Sequence, residues 1–189
     1  IVFVKEEELE GLSSEIVNSA RLSVDGEIQR LQSANVVATL LPKPDTDTEN
    51  EIIVSAHVDS YNGPGADDNA SGVAVMLEIA RLWQEQEFQP RRTVLFVAWA
   101  GGSLRYSGAH GFVDRPGILG SYDVSSVIHL DRMGGLEGEG LAIRQLGARD
   151  TMLNLFINSA SNMDVDIYGG AAVRHPYQQV FQGRFEPRY

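Results

Sequence analysis

Two short segments hold most of the side chains in this sequence that could do chemistry. His57-Val58-Asp59-Ser60 is followed closely by Gly65-Ala66-Asp67-Asp68-Asn69-Ala70-Ser71-Gly72. A third carboxylate source, His129-Leu130-Asp131, lies far along the chain. Imidazole nitrogen and carboxylate oxygen are ligands for a divalent cation such as zinc. On an extended segment, residues two apart face the same side, which sets Asp59 beside His57. A metal-bound imidazole usually donates its other N–H to an acceptor, so Asp59 is placed to be that acceptor or a ligand itself. Gly63-Pro64-Gly65-Ala66 precedes Asp67 and Asp68, and small residues there let the backbone approach an ion. A carboxylate so placed can bridge two cations, which in paired sites lie about 3.5–4 Å apart. Hydrolysis of peptides at such a centre needs a further carboxylate to activate water. Between Glu87 and Asp114 the sequence has no Asp or Glu at all.

The elements that must position these groups read as alternating strands and helices. Ile1–Val4 is a short β-branched and aromatic run, and residues 5–21 carry helical periodicity through Leu9, Leu12, Ile16 and Val17. Residues 21–31 alternate roughly apolar and polar, as a half-exposed strand would. Strands are expected over 35–41 and 52–56, the second ending directly at His57. A helix should run from Ser71 to about Glu87 with Val73, Met76, Ala80 and Trp83 on its apolar face. Thr93–Ala98 has no polar alternation, as expected of a central strand covered on both faces. A helix over 108–113, a strand over 124–130, a helix over 150–161 and a strand near 165–168 complete the pattern, with Tyr168-Gly169-Gly170 as a turn. The fold class is therefore α/β, a mixed and largely parallel sheet sandwiched by helices. In such sheets ligands collect at the carboxyl ends of strands, where His57 and Asp131 sit.

Composition excludes several functions. The 189 residues carry 15 Lys and Arg against 26 Asp and Glu, a formal charge of −11. So acidic a chain is a poor partner for a phosphate backbone, and nucleic acid is not expected. There are no cysteines, hence no disulfide framework and no thiolate metal site. No apolar run reaches the length of a membrane span. The chain begins at Ile1 inside what reads as a strand, so it is expected to be a piece of something longer.

His57-Val58-Asp59-Ser60, the Gly65–Gly72 segment, the strand Thr93-Val94-Leu95-Phe96-Val97-Ala98-Trp99 and His129-Leu130-Asp131 together resemble the M28 family of zinc aminopeptidases. That group is also similar to glutamate carboxypeptidase and the transferrin receptor. The likeness covers roughly residues 35–145 in family order, and Gly65–Gly72 is its most specific part. It implies that His57 and Asp131 are terminal ligands of one zinc, that Asp68 bridges two, and that Asp59 supports His57. It also implies two adjacent glutamates after the strand ending at Trp99, one the general base and one a ligand of the second zinc. Those positions fall on Gly102 and Ser103, and shifting the register by one gives Gly101 and Gly102. The last ligand of the family is a histidine. His175 is the candidate here, with Arg174 where an acidic neighbour is usual.

The retained ligands belong to one metal and the missing or doubtful ones to the other, which leaves a complete mononuclear set of His57, Asp68 and Asp131. Loss of general-base assistance typically costs about 10²–10⁴ in rate. The expected function is a degenerate metallopeptidase domain holding one zinc ion, weak or inactive as a peptidase, that binds a peptide or protein ligand or supports assembly, a homo-oligomer included. The alternative is an active zinc aminopeptidase releasing N-terminal residues, with Glu137, Glu139 or a residue outside this sequence as the base. A mononuclear hydrolase of less demanding esters or amides is a third reading. Asp67 is expected to cap the following helix or to hydrogen-bond the loop, and His110 and His129 to be structural. By resemblance, residues 1–34 are the end of an upstream protease-associated-like segment. Residues 35–189 are then an M28 peptidase-like domain short of its C-terminal part, outside the cell or in its envelope.

Overall fold

The computed structural model describes residues 23, 25–28, 30–46, 50–61, 63–114, 124–134, 141–143, 150–169 and 176–181. The chain divides into two compact units, Ile1–Gln32 and Ser33–Tyr189. In the first unit, the strand and helix expected over residues 1–21 lie outside the described residues. The strand expected over 21–31 is not found: the described residues there have no regular structure, and Ile28 and Leu31 are exposed. Apolar alternation makes a strand only where a partner takes up the backbone hydrogen bonds.

The second unit is built on a four-stranded sheet. Its strands are β1 (Val36–Leu40), β2 (Glu51–His57), β3 (Val94–Trp99) and β4 (Val124–His129), in the order β1-β3-β2-β4. β2 runs parallel to both β3 and β4, while β1 is antiparallel to β3. Helix α1 (Gly72–Glu85) links β2 to β3, and α2 (Ser107–Val113) follows β3. Beyond β4 come a three-residue strand β5 (Leu141–Ile143), helix α3 (Asp150–Asn162), strand β6 (Ile167–Gly169) and helix α4 (Pro176–Phe181). β5 and β6 pair in parallel as a separate sheet, so Tyr168 and Gly169 belong to a strand and not to a turn.

The alternation of side chains along β2 and β3 divides the core into two layers. Leu95, Val97 and Trp99 face one way with Ile53, and meet Ala109 and Val113 of α2 and Tyr177, Val180 and Phe181 of α4. Val94 and Phe96 face the other way with Val54 and Ala56, and meet Met76 of α1 with Val73, Ile79, Ala80 and Trp83 around it. The sheet is thus covered on both faces, which is why β3 needs no polar positions. No helix among the described residues is long and apolar enough to cross a membrane.

Leu95 is fully buried between β1 and β2 on the α4 face. Leu95→Ala should therefore lower stability by about 2–5 kcal/mol. Urea unfolding would show this as a lower midpoint at unchanged slope; a midpoint shift worth under about 1 kcal/mol would contradict the two-layer core.

Candidate metal centre

Three elements deliver the site. His57 is the last residue of β2, in register with Trp99, and its side chain lies on the α4 face with Ile53 and Ser55. Asp131 follows β4, and Leu130 N–H donates to the Ser55 carbonyl at 2.8 Å, which carries the pairing of the two strands to the edge of the site. Asp68 lies in a kinked, wide turn over Ala66–Ser71 that leads into α1, and its peptide bond to Asn69 is cis.

Asn69 ties these pieces together. Its side chain is 2% exposed. Its amide donates to the Leu130 carbonyl at 2.9 Å, and its oxygen accepts from Gly72 N–H at 3.2 Å and Arg132 N–H at 3.0 Å. A Cβ on Gly72 would collide with the Asn69 side chain and the Leu130 carbonyl, so only glycine lets α1 start this close to β4. Ser71 and Asp67 extend the seam. Ser71 Oγ accepts from Met133 N–H at 2.9 Å, and Asp67 Oδ1 accepts from Gly134 N–H at 3.3 Å. Of the two roles expected of Asp67, its carboxylate takes a loop hydrogen bond, to the loop after β4, and α1 has no side-chain cap hydrogen bond at Ser71.

The ligand atoms converge. His57 Nδ1 lies 2.9 Å from the Asp59 carbonyl oxygen, which fixes the ring with Nδ1–H donating and Nε2 turned to the carboxylates. Nε2 is 3.1 Å from Asp68 Oδ1 and 3.6 Å from Asp131 Oδ1. One ligand atom from each of His57, Asp68 and Asp131 lies within 4.8 Å of the others, and among the described residues no other such trio of His, Cys, Asp or Glu occurs. Burial alone would lower the His57 pKa. The hydrogen bond to Asp131, the Asp59 carbonyl and the charges of Asp131 and Asp59 outweigh it and raise the value above 6.5. The carboxylates that favour a proton on this nitrogen would also favour a metal cation there, and the two would compete for Nε2. The nitrogen and two oxygens are a fitting zinc set with room for a further ligand.

The turn after β3 is where the sequence left a gap, and its geometry explains what fills it. The Asp59 carboxylate, 3.8 Å from His57 Nδ1, spends its hydrogen bonds on this turn. It accepts from Gly102 N–H at 2.5 Å and Ser103 N–H at 2.7 Å, and from the Ser103 hydroxyl. Asp59 therefore supports His57 through its backbone oxygen and the 102–103 turn through its side chain. A Cβ on Gly102 would lie 2.7 Å from both Cβ and Cγ of His57 and 2.8 Å from the Tyr177 hydroxyl. The space a side chain at 102 would need is taken.

Tyr177, Tyr106 and Arg132 are participants that the sequence reading passed over. Tyr177 is buried on α4, its ring 3.9 Å from that of His129, 4.6 Å from Tyr106 and 6.1 Å from His57. Burial, with the charges of Asp59 and Asp131 and with Tyr106 beside it, pushes its phenol far above the ordinary value, so it stays neutral. His129 Nδ1 is 3.1 Å from Ser55 Oγ. Arg132 sits at φ 52°, and its guanidinium reaches Asp68 Oδ2 at 2.8 Å. An aromatic two residues past His175 and a cation next to Asp131 were visible as residue types, but nothing local marked them. His110 is exposed on α2. His175, Glu137 and Glu139 lie outside the described residues.

Two outcomes follow from the turn. Gly102→Ala should destabilise the chain by about 1–3 kcal/mol through overpacking against His57 and Tyr177, and an unchanged urea midpoint would refute the contact. Burial would raise the Asp59 pKa, but the bonds from Ser103 and Gly102 outweigh it and hold it below 3.8. The stabilisation is therefore full above that value and is lost as pH falls through the lower folded-state value. Asp59→Asn should cost about 1–3 kcal/mol at neutral pH, with the gap to the unmodified chain closing below about pH 4. A gap that stays constant with pH would show that the charge is not what the turn uses.

Comparison with known proteins places the chain in a family. Residues 35–177 match Peptidase family M28. A probable zinc metalloprotease of Pyricularia oryzae is 32% identical over 149 residues, 70% of this chain and 29% of that protein. Transferrin receptor protein 2 of Rattus norvegicus is 30% identical over 95 residues, 49% of this chain and 12% of that protein. The chain thus spans less than a third of either relative. Among solved structures, a zinc aminopeptidase from Bacillus subtilis superposes with a TM-score of 0.62 at 24% identity, over 77% of this chain and 37% of that one, which shows the shared fold. The chain belongs to Peptidase family M28.

Proposed function

We propose that this chain is an M28-type domain that keeps one zinc ion on His57, Asp68 and Asp131 and binds a peptide or protein ligand with little or no peptidase turnover. The observation that carries this reading is the filled turn at Gly102-Ser103. Where the family resemblance calls for two carboxylates, the backbone is bonded to Asp59, and the room for a side chain at 102 is taken by His57 and Tyr177. Zinc held at the trio would supply Lewis-acid polarisation of a bound carbonyl. His57 is oriented by the Asp59 carbonyl, and Asp68 and Asp131 present the oxygens. Tyr177, kept neutral and buried, packs beside the ring of His57 and takes no proton as a base. On this reading the domain uses its centre to hold a chain end or a carbonyl, and residues 1–34 are the end of a protease-associated-like segment in front of it.

The likeness to a probable zinc metalloprotease favours a second reading, an active aminopeptidase whose base comes from Glu137, Glu139 or another part of a longer protein. One assay separates the two. The zinc-loaded chain should hydrolyse aminoacyl anilides no faster than free zinc, and elemental analysis should find one equivalent, lost on Asp131→Ala. Zinc-dependent turnover that Asp68→Ala abolishes would establish the peptidase and end the binding-domain reading.

A further inference from the structure

The geometry points to Arg132 as a built-in cation that takes the place of a second metal on Asp68. The inference rests on the one-zinc reading above and explains why the count stops there. The two oxygens of Asp68 face different partners: Oδ1 is 3.1 Å from His57 Nε2 within the trio, and Oδ2 is 2.8 Å from an Arg132 guanidinium nitrogen. A carboxylate that bridges two cations gives one oxygen to each, with the ions about 3.5–4 Å apart. Here the second oxygen is already engaged by a positive charge at hydrogen-bond distance, and a dication beside it would have to displace or face that charge.

The Arg132 side chain lies at the surface, 64% exposed, but its backbone is fixed. Its backbone N–H is bonded to the buried Asn69 side chain, and its left-handed backbone sets where the side chain begins. A guanidinium stays protonated at any pH the fold survives, so this cation does not titrate as a ligand set would. It neutralises part of the charge on Asp68 and, unlike a metal, brings neither a coordination site nor polarising power for an attacking water. Arg132 is thus a positioning residue: it holds Asp68 for the first metal and closes the second place.

Zinc titration followed by elemental analysis, with circular dichroism to verify folding, tests this on the 189-residue chain. Ser103→Glu returns a carboxylate to the turn at the position where the family resemblance puts a ligand of the second metal. With Arg132 in place, both the unmodified chain and Ser103→Glu should take one zinc. Ser103→Glu with Arg132→Gln should take two, whereas Ser103→Glu with Arg132→Lys, which keeps the charge, should stay at one. A second equivalent in Ser103→Glu alone, or none gained when Arg132→Gln is added, would overturn the role of Arg132 and leave the one-zinc reading standing. Two equivalents in the unmodified chain would instead overturn the one-zinc reading itself. If Ser103→Glu does not fold, Ser103→Asp places the same group on a shorter stem and is read in the same way.

Discussion

One buried amide sets the dimensions of the metal centre. Asn69 joins the turn that carries Asp68 to the strand end that carries Asp131, through hydrogen bonds to Leu130, Gly72 and Arg132. Neither carboxylate is placed by its own element alone. Asp68 stands on a kinked segment whose conformation needs an outside anchor, and Asp131 lies past the last paired residue of β4. Without Asn69 the β2 end, with His57, would remain in register, but the two oxygens that meet its ring would lose the buried anchor that joins their segments. An unpaired buried amide would also cost about 1–3 kcal/mol in its own right, so the anchor cannot be half-made.

Around that anchor the electrostatics are those of a site short of positive charge. Two carboxylates whose oxygens lie within 4.8 Å of each other repel, although Asp68 is nearly half exposed and solvent screens part of that repulsion. A cation beside them relieves it. The structure answers on both sides of Asp68, with an imidazole whose pKa is raised beside the carboxylates and a guanidinium that stays protonated. Asp59 stays out of this contest because backbone amides and a hydroxyl take up its charge. The same four acidic side chains, Asp59, Asp67, Asp68 and Asp131, thus do different work according to what each one faces.

The sequence made the strand-end ligands and the largest elements readable, because both depend on local signals. Period-3.6 spacing from Val73 to Trp83 marks α1, and the unbroken apolar run marks β3 as an interior strand. His57 and Asp131 declare themselves by ending such strands. The parts that escaped are those whose meaning is long-range. Asn69 looks like any turn asparagine until its bond to Leu130, 61 residues away, is seen. Arg132 and Tyr177 acquire roles only from Asp68 and the rings of His57 and His129. Asp67 reads equally as a helix cap or as a hydrogen-bonding loop residue, and only the fold shows that its carboxylate serves the loop after β4. β5, three residues long and paired to β6, has no period to detect.

The parallel register of β2, β3 and β4 has a bearing on how the chain acquires its form. Parallel neighbours require crossovers, so Ile53 must find Leu95 and Val127 across long stretches of chain before any sheet exists. Such topologies fold slowly, since loop entropy is lost before contacts return it. The three ligand-bearing segments come together only when those crossovers have closed. A metal ion therefore finds its full ligand set only once Asp131 has been brought in by the β2–β4 crossover. Its effect on folding is that of a ligand drawn to the native state, adding stability by mass action and slowing unfolding, while the order of assembly is left to the hydrophobic strands.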